Sequence, residues 1–199
     1  MKQNLSKIID YLLLNSMYIL DVGLFHGKMG IVLALFAYAE RCKDKLLEEY
    51  AWDLFQQVYE GVHDYMPLGL ENGLSGIGYG TAFMCANGWV GCDLNAVLAD
   101  IDEKIMQHDP RRLKDYSLRS GTGGIQLYLD LRRTVCGSLQ TFDGSYLSEL
   151  KLITEYQPKF HGELCDFLEK PSFLMTEYIE KPIGIDGGSA YYLLKESLS

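Results

Sequence analysis

Hydrophobic positions along the chain fall into two patterns. In the first, apolar residues recur every three or four positions with polar residues between them. MKQNLSKIIDYLLLNSMYIL at the start, KLLEEYAWDLFQQVY over 45–59 and DLNAVLADIDEKIMQ over 93–107 read this way. That is the period of a helix with one buried stripe, not the alternation of a half-buried strand. The stripe over 45–59 is Leu46, Tyr50, Leu54 and Val58. Over 93–107 it is Leu94, Val97, Leu98, Ile101 and Ile105, with Asp93 placed to cap the helix start. The second pattern is a run of roughly three turns that is apolar nearly all round: IVLALFAYAE from Ile31, IGYGTAFMCA from Ile77 and IQLYLDLRR from Ile125. Helices of that composition are buried on most faces. The two patterns together predict an all-α chain.

One glycine string opens each apolar run. It is Gly23-Leu24-Phe25-His26-Gly27-Lys28-Met29-Gly30, then Gly69-Leu70-Glu71-Asn72-Gly73-Leu74-Ser75-Gly76, then Ser117-Leu118-Arg119-Ser120-Gly121-Thr122-Gly123-Gly124. A weaker fourth copy, Gly184-Ile185-Asp186-Gly187-Gly188-Ser189-Ala190-Tyr191, leads into YLLKESL. The first three starts are spaced by 46 and 48 residues, and the last by 67. Each unit is an amphipathic helix, a loop and a buried helix. Such a pair cannot bury its apolar faces alone, so neighbouring units stack. With the all-apolar helices inside and the amphipathic ones outside, the expected architecture is an α/α toroid or partial toroid, one domain over 1–199 with about four repeats. The glycines would open backbone angles closed to other residues and let an inner helix approach its neighbour, against a cost of about 1 kcal/mol each relative to Ala. The signatures of HEAT and TPR solenoids are absent. Residues 138–183, with Pro158, Pro171 and Pro182, are least regular. They predict one outer helix over 145–156 and a shorter one over 162–169.

At GLFHGKMGI, GLENGLSGIGYG and SLRSGTGGIQLYL the chain resembles the lanthionine synthetase C-like family, over most of 20–137 and more weakly over 184–195. The resemblance implies an α/α toroid whose inner helices open on Gly-rich motifs. It also implies a chemistry: family cyclases bind zinc, which activates a peptide cysteine thiolate for addition to a dehydrated serine or threonine, closing a thioether ring in lantibiotic biosynthesis. Two departures qualify this. The family's full ring needs more units than the four here, which would make a part-circle, close against a second copy, or be a shortened relative. The family's zinc site uses a Cys-His-Gly string and a further Cys, whereas His26-Gly27 follows Phe25, and a phenyl ring is not a ligand. His161-Gly162 is preceded by Phe160. His161 and Cys165 can share a helix face, but two ligands fall short of a zinc site. The expectation is no bound metal cofactor, with zinc the one the resemblance would supply.

In a toroid the loops opening the inner helices gather at one end of the axis. The third motif positions are Phe25, Glu71, Arg119 and Asp186; the fourth are His26, Asn72, Ser120 and Gly187. The candidate catalytic set is therefore His26, Glu71, Arg119 and Asp186, with Asn72 beside them. His26 can act as base or ligand near neutral pH, and Arg119 can orient a carboxylate or pair with Glu71. Plainer roles exist for each. His26 can bond a backbone group, Asn72, Ser120 and Asp186 can cap helices, and Arg119 with Glu71 can bridge two repeats. Cys85 and Cys136 read as small core residues, and Cys92 as a loop thiol.

Charge narrows the partners. The net charge is −9, and the one basic cluster is Arg111, Arg112 and Lys114, too little to neutralise a phosphate backbone, so nucleic acid is excluded. The acidity suits a cationic partner such as a basic peptide, or serves solubility. Five irregularly spaced cysteines without a CxxC fit reduced thiols in the cytoplasm. The N-terminal apolar stretch, broken by Asp10 and Asn15, is too short to span a bilayer, so no membrane partner is expected. The leading expectation is a cytoplasmic lanthionine synthetase C-like protein that acts on or binds a peptide in peptide modification, with a peptide or a peptide-modifying enzyme as partner; whether it is an enzyme stays open. Two alternatives stand beside it. One is a glycan-active α/α toroid using two carboxylates from Glu71, Asp64, Asp115 and Asp186. The other is a non-catalytic interaction module whose open ends self-associate as a homo-oligomer.

Overall fold

The computed structural model describes residues 2–91, 93–155 and 162–198. Among the described residues the chain is all-helical, with no strand. The helices are α1 (Lys2–Asn15), α2 (Lys28–Cys42), α3 (Lys45–Glu60), α4 (Leu74–Ala86), α5 (Leu94–Val97), α6 (Ala99–Met106), α7 (Thr122–Cys136), α8 (Gly144–Thr154) and α9 (Ser189–Leu198), with 3-10 turns at Ser16–Tyr18, Pro110–Arg112 and Leu164–Phe167. None is long and apolar enough to cross a membrane.

The chain divides into two compact units, one of Met1–Gly61 with Gly162–Ser199 and one of Val62–His161. In the first, α2 packs against α3 and α9, and α1 lies on α9. Leu5, Ile8 and Leu12 are the buried stripe of α1, and nearly every residue of α2 from Lys28 to Ala37 is buried. In the second unit α4 packs on α7, α6 on α4, and α8 on α7 and the Pro110–Arg112 turn. Leu74, Ile77, Ile101, Ile105, Ile125 and Leu129 form its centre.

The four glycine strings close the same loop. The first N–H of each following helix donates to a carbonyl seven residues earlier: Lys28 to Asp21 (2.8 Å), Leu74 to Pro67 (2.9 Å), Thr122 to Asp115 (2.9 Å) and Ser189 to Pro182 (2.8 Å). The glycine before each helix lies inside that closure. A Cβ added at Gly27 would stand 2.6 Å from the Asp21 oxygen, at Gly73 2.2 Å from that of Pro67, at Gly121 2.3 Å from that of Asp115, and at Gly188 2.5 Å from that of Gly184. The φ angles at Gly27, Gly73 and Gly121 are −97°, −123° and −111°, open to any residue. Close approach, not a special backbone angle, is what demands glycine at these three helix starts, which corrects the expectation on that point.

Each unit joins two of these loops in the same way. Glu71 N–H donates to the Arg119 carbonyl (2.9 Å) in one, and Asp186 N–H to the Phe25 carbonyl (3.0 Å) in the other. Gly69 and Gly184 sit against those two carbonyls, each with an added Cβ 2.4 Å away. Gly124 abuts Leu70 and Gly30 abuts Ile185, the equivalent pairs. Inside the helices, Gly78 lets α4 reach the Tyr128 ring of α7.

Several boundaries differ from expectation. The stripe of α3 is rotated by about one residue: Leu47, Ala51, Leu54, Phe55 and Val58 are buried, whereas Leu46 is 78% exposed. Trp52 meets Phe36 of α2 edge-on, ring centres 5.5 Å apart, which fixes that rotation. The helix expected over 93–107 kinks at Leu98, where the Leu94 carbonyl accepts both the Leu98 N–H (3.0 Å) and Arg132 Nη2 (3.3 Å). Asp93 does cap it, accepting from Asn95 N–H at 3.0 Å. The helix expected over 162–169 is only the turn Leu164–Phe167. Only the first turn of α7 is buried on every side.

A buried polar cluster lies between α6 and α7. Arg132 and Asp102 are fully buried and ion-paired. Tyr128 donates to Asp102 at 2.5 Å, and Thr141 does so at 2.5 Å. Arg132 also reaches Asn95 at 3.0 Å. Burial, with the Asp102 charge beside it, holds the Tyr128 hydroxyl protonated far above the ordinary tyrosine range. Removing one member of such a pair strands the other without water, which costs about 3–5 kcal/mol in typical cases.

The loop closure makes a direct prediction. Gly73→Ala should lower the unfolding free energy by about 1–3 kcal/mol, because backbone must shift to admit the methyl. Gly144→Ala, where an added Cβ meets nothing within 4 Å, should be neutral or slightly stabilising. Urea denaturation of both variants checks this, and equal effects would contradict it.

Candidate functional site

The proposed site residues occur as two pairs, one in each unit. His26 is the last residue before Gly27, held where the loop turns into α2. Its Nε2 stands 3.6 Å from Asp186 Oδ2, with the His26 side chain 47% exposed and that of Asp186 3%. The fourth glycine loop places Asp186 there through its backbone bond to Phe25. Gly187, at φ +66°, then turns the chain so that its N–H donates to the Glu169 carbonyl at 2.9 Å. Asp186 Oδ1 in turn accepts the Glu169 N–H at 2.6 Å. A buried carboxylate thus steadies an imidazole that reaches solvent. The imidazole so placed can hydrogen-bond a ligand that reaches it from solvent.

In the other unit, Arg119 Nη1 lies 3.5 Å from Glu71 Oε2, both partly exposed. This is the Arg119–Glu71 ion pair that the sequence offers as the plainer role of both residues. It is anchored by the backbone bond between the same two residues. A partly exposed pair of this kind contributes little to stability.

The capping roles are corrected. The residues before α2, α4 and α7 are Gly27, Gly73 and Gly121, none with a side-chain cap bond. Asn72 is exposed. Ser120 Oγ donates to Asp115 Oδ2 at 2.6 Å, and Asp115 Oδ1 accepts the Ser117 N–H at 2.8 Å, so this carboxylate caps the loop. Asp186 Oδ1 accepts from the Glu169 N–H. Of the other carboxylates weighed, Asp64 pairs with Lys104 at 2.5 Å on the surface.

The zinc set implied by the family resemblance does not fit the described residues. Phe25, at the thiolate's position, is fully buried as a core ring. No group of three or more His, Cys, Asp or Glu side chains that could hold a metal occurs among the described residues. Burial pushes the Cys165 thiol up, away from the thiolate a metal requires. His161, Phe160 and Cys92 lie outside the described residues. Cys85 and Cys136, expected in the core, are half-buried.

Two features went unread in the sequence. Asp21, Pro67, Asp115 and Pro182 occupy one position, two residues before each motif, and supply the loop-closing carbonyl. Alternation of Asp and Pro there was the available signal, since both favour a turn. The Asp102–Tyr128–Arg132 cluster left only a faint trace, an Arg and a Tyr four apart on a buried helix. Comparison with protein-family models, curated proteins and solved structures finds no match.

Asp115 gives the site a pH dependence. The Ser120 hydroxyl and Ser117 amide bonds hold its carboxyl below the usual range. A depressed acid stabilises the fold above its unfolded value, about 3.9, and loses that contribution as pH falls through the folded value. Asp115→Asn, which removes the charge and keeps one of the two acceptor oxygens, should be less stable at neutral pH. Its deficit should shrink as pH falls through the folded-state value of Asp115. Urea midpoints measured across pH decide this; a constant deficit would contradict it.

Proposed function

We propose that this chain is a diverged lanthionine synthetase C-like protein that binds a peptide through its glycine-loop residues, without the family's zinc-thiolate centre. One observation carries the reading: four glycine strings at corresponding positions close loops through the same bond and the same glycine contact, a regularity that supports kinship with a family built on such motifs. On this reading the helices belong to an α/α toroid or part of one. Each unit then offers its own polar pair to a peptide. Arg119 takes a carboxylate, with Glu71 setting its angle, and His26, backed by Asp186, takes a polar side chain or a proton. A cytoplasmic setting fits the same reading.

The test is an array of 20-residue peptides rich in Ser, Thr and Cys, probed with the purified full chain. Selective retention, lost in Arg119→Ala and reduced in His26→Ala with helical circular dichroism unchanged, is expected. Metal analysis of the same preparation should show no stoichiometric zinc. Equal retention by the wild type and both variants would contradict the assignment of the site, and one zinc per chain would contradict its metal-free form.

A further inference from the structure

Away from the glycine loops, α3 carries a groove of about 330 Å³ on its outer side. Its apolar part is Met17, Tyr50 and Leu54, and its ionisable groups are Asp53 and Glu60, with Gln57 between them. Lys28, buried beneath the lining with its ammonium donating to Gln57 Oε1 at 2.6 Å, offsets part of that charge, and the two exposed carboxylates outnumber it. Tyr50 fixes the far wall, its hydroxyl donating to the Leu13 carbonyl at 2.8 Å and lying 2.7 Å from Ser16 Oγ. The segment so held leaves four large apolar side chains in solvent: Leu14 is 72% exposed, Met17 59%, Tyr18 83% and Leu20 94%. Leu46, one turn before Tyr50, is exposed as well. Single exposed apolar residues are ordinary, but here several lie close together in the sequence and one of them, Met17, lines the groove, which is the kind of concentration that marks a binding surface.

We propose that this groove docks a basic amphipathic helix, with its apolar side chains on Met17 and Tyr50 and its Lys or Arg residues on Asp53 and Glu60. The charge decides the occupant. Asp53 and Glu60 are seven residues apart on one helix, two turns or about 10 Å, which matches basic residues at i and i+7 of a partner helix. An anionic membrane surface would be repelled by the same carboxylates. A symmetric second copy would set the acidic patch against itself. This surface is independent of the glycine-loop pairs.

The probe is a fluorescent 15-residue helical peptide with leucines on one face and lysines at i and i+7. Polarisation titrations use the full chain at physiological salt. The expected result is saturable binding that weakens about tenfold in Asp53→Asn/Glu60→Gln and in Met17→Ser, all at exposed positions. Binding should persist unchanged in Arg119→Ala, which separates this result from the fate of the glycine-loop reading. A charge control, Glu103→Gln/Glu155→Gln in the other unit, should bind as the wild type does. Equal weakening in that control would reduce the effect to net charge and overturn the proposal. So would equal binding of the peptide with glutamates in place of lysines, co-flotation with anionic vesicles that Met17→Ser abolishes, or a dimer in sedimentation that Met17→Ser breaks and the peptide does not.

Discussion

A helix needs its first N–H groups satisfied, and this chain meets that need four times with one device: a bond back to a carbonyl seven residues earlier. Helices usually recruit a Ser, Thr, Asp or Asn side chain there. Here the backbone closes on itself, from Lys28 to Asp21 and likewise at Leu74, Thr122 and Ser189. The closure is tight enough that the residue before the helix cannot carry a side chain, so the glycines are a packing requirement. Everything downstream inherits that geometry. The loop sets the angle at which each buried helix enters, and it presents the third and fourth motif residues to neighbours and solvent.

Within each unit the loops meet in pairs through an equivalent backbone bond, Glu71 to Arg119 and Asp186 to Phe25. This fixes the polar pairs more firmly than their side chains could. An ion pair at 3.5 Å between partly exposed groups is weak and easily displaced. It persists because the backbones beneath it are joined. His26 and Asp186 differ: the carboxylate is buried and owes its place to the Glu169 amide, so the imidazole moves against a fixed charge. The Arg132–Asp102 cluster plays no part in either pair. It is buried where α7 meets α6, and it kinks the helix over 93–107.

The helices were legible because their apolar residues recur with a helical period, and the motif starts because glycines recur at fixed offsets. What periodicity cannot supply is rotation and partner. Leu46 and Leu47 are equally apolar, and the packing of α3 on α2, in which Trp52 meets Phe36, leaves Leu47 buried and Leu46 exposed. The pairing of His26 with Asp186 spans 160 positions, so no local pattern could state it. The capping roles assigned to Asn72 and Ser120 followed residue preference, which does not foresee a loop closed by its own backbone.

Amide hydrogen exchange tests the loop closure most directly. If the seven-residue bond is the shared foundation, the amides of Lys28, Leu74, Thr122 and Ser189 should all exchange slowly, while the exposed Asn72 amide exchanges orders of magnitude faster. Rapid exchange at those four helix-start amides, at the rate of unstructured chain, would show that the loops are not closed in this way and would remove the basis for treating the four motifs as one device.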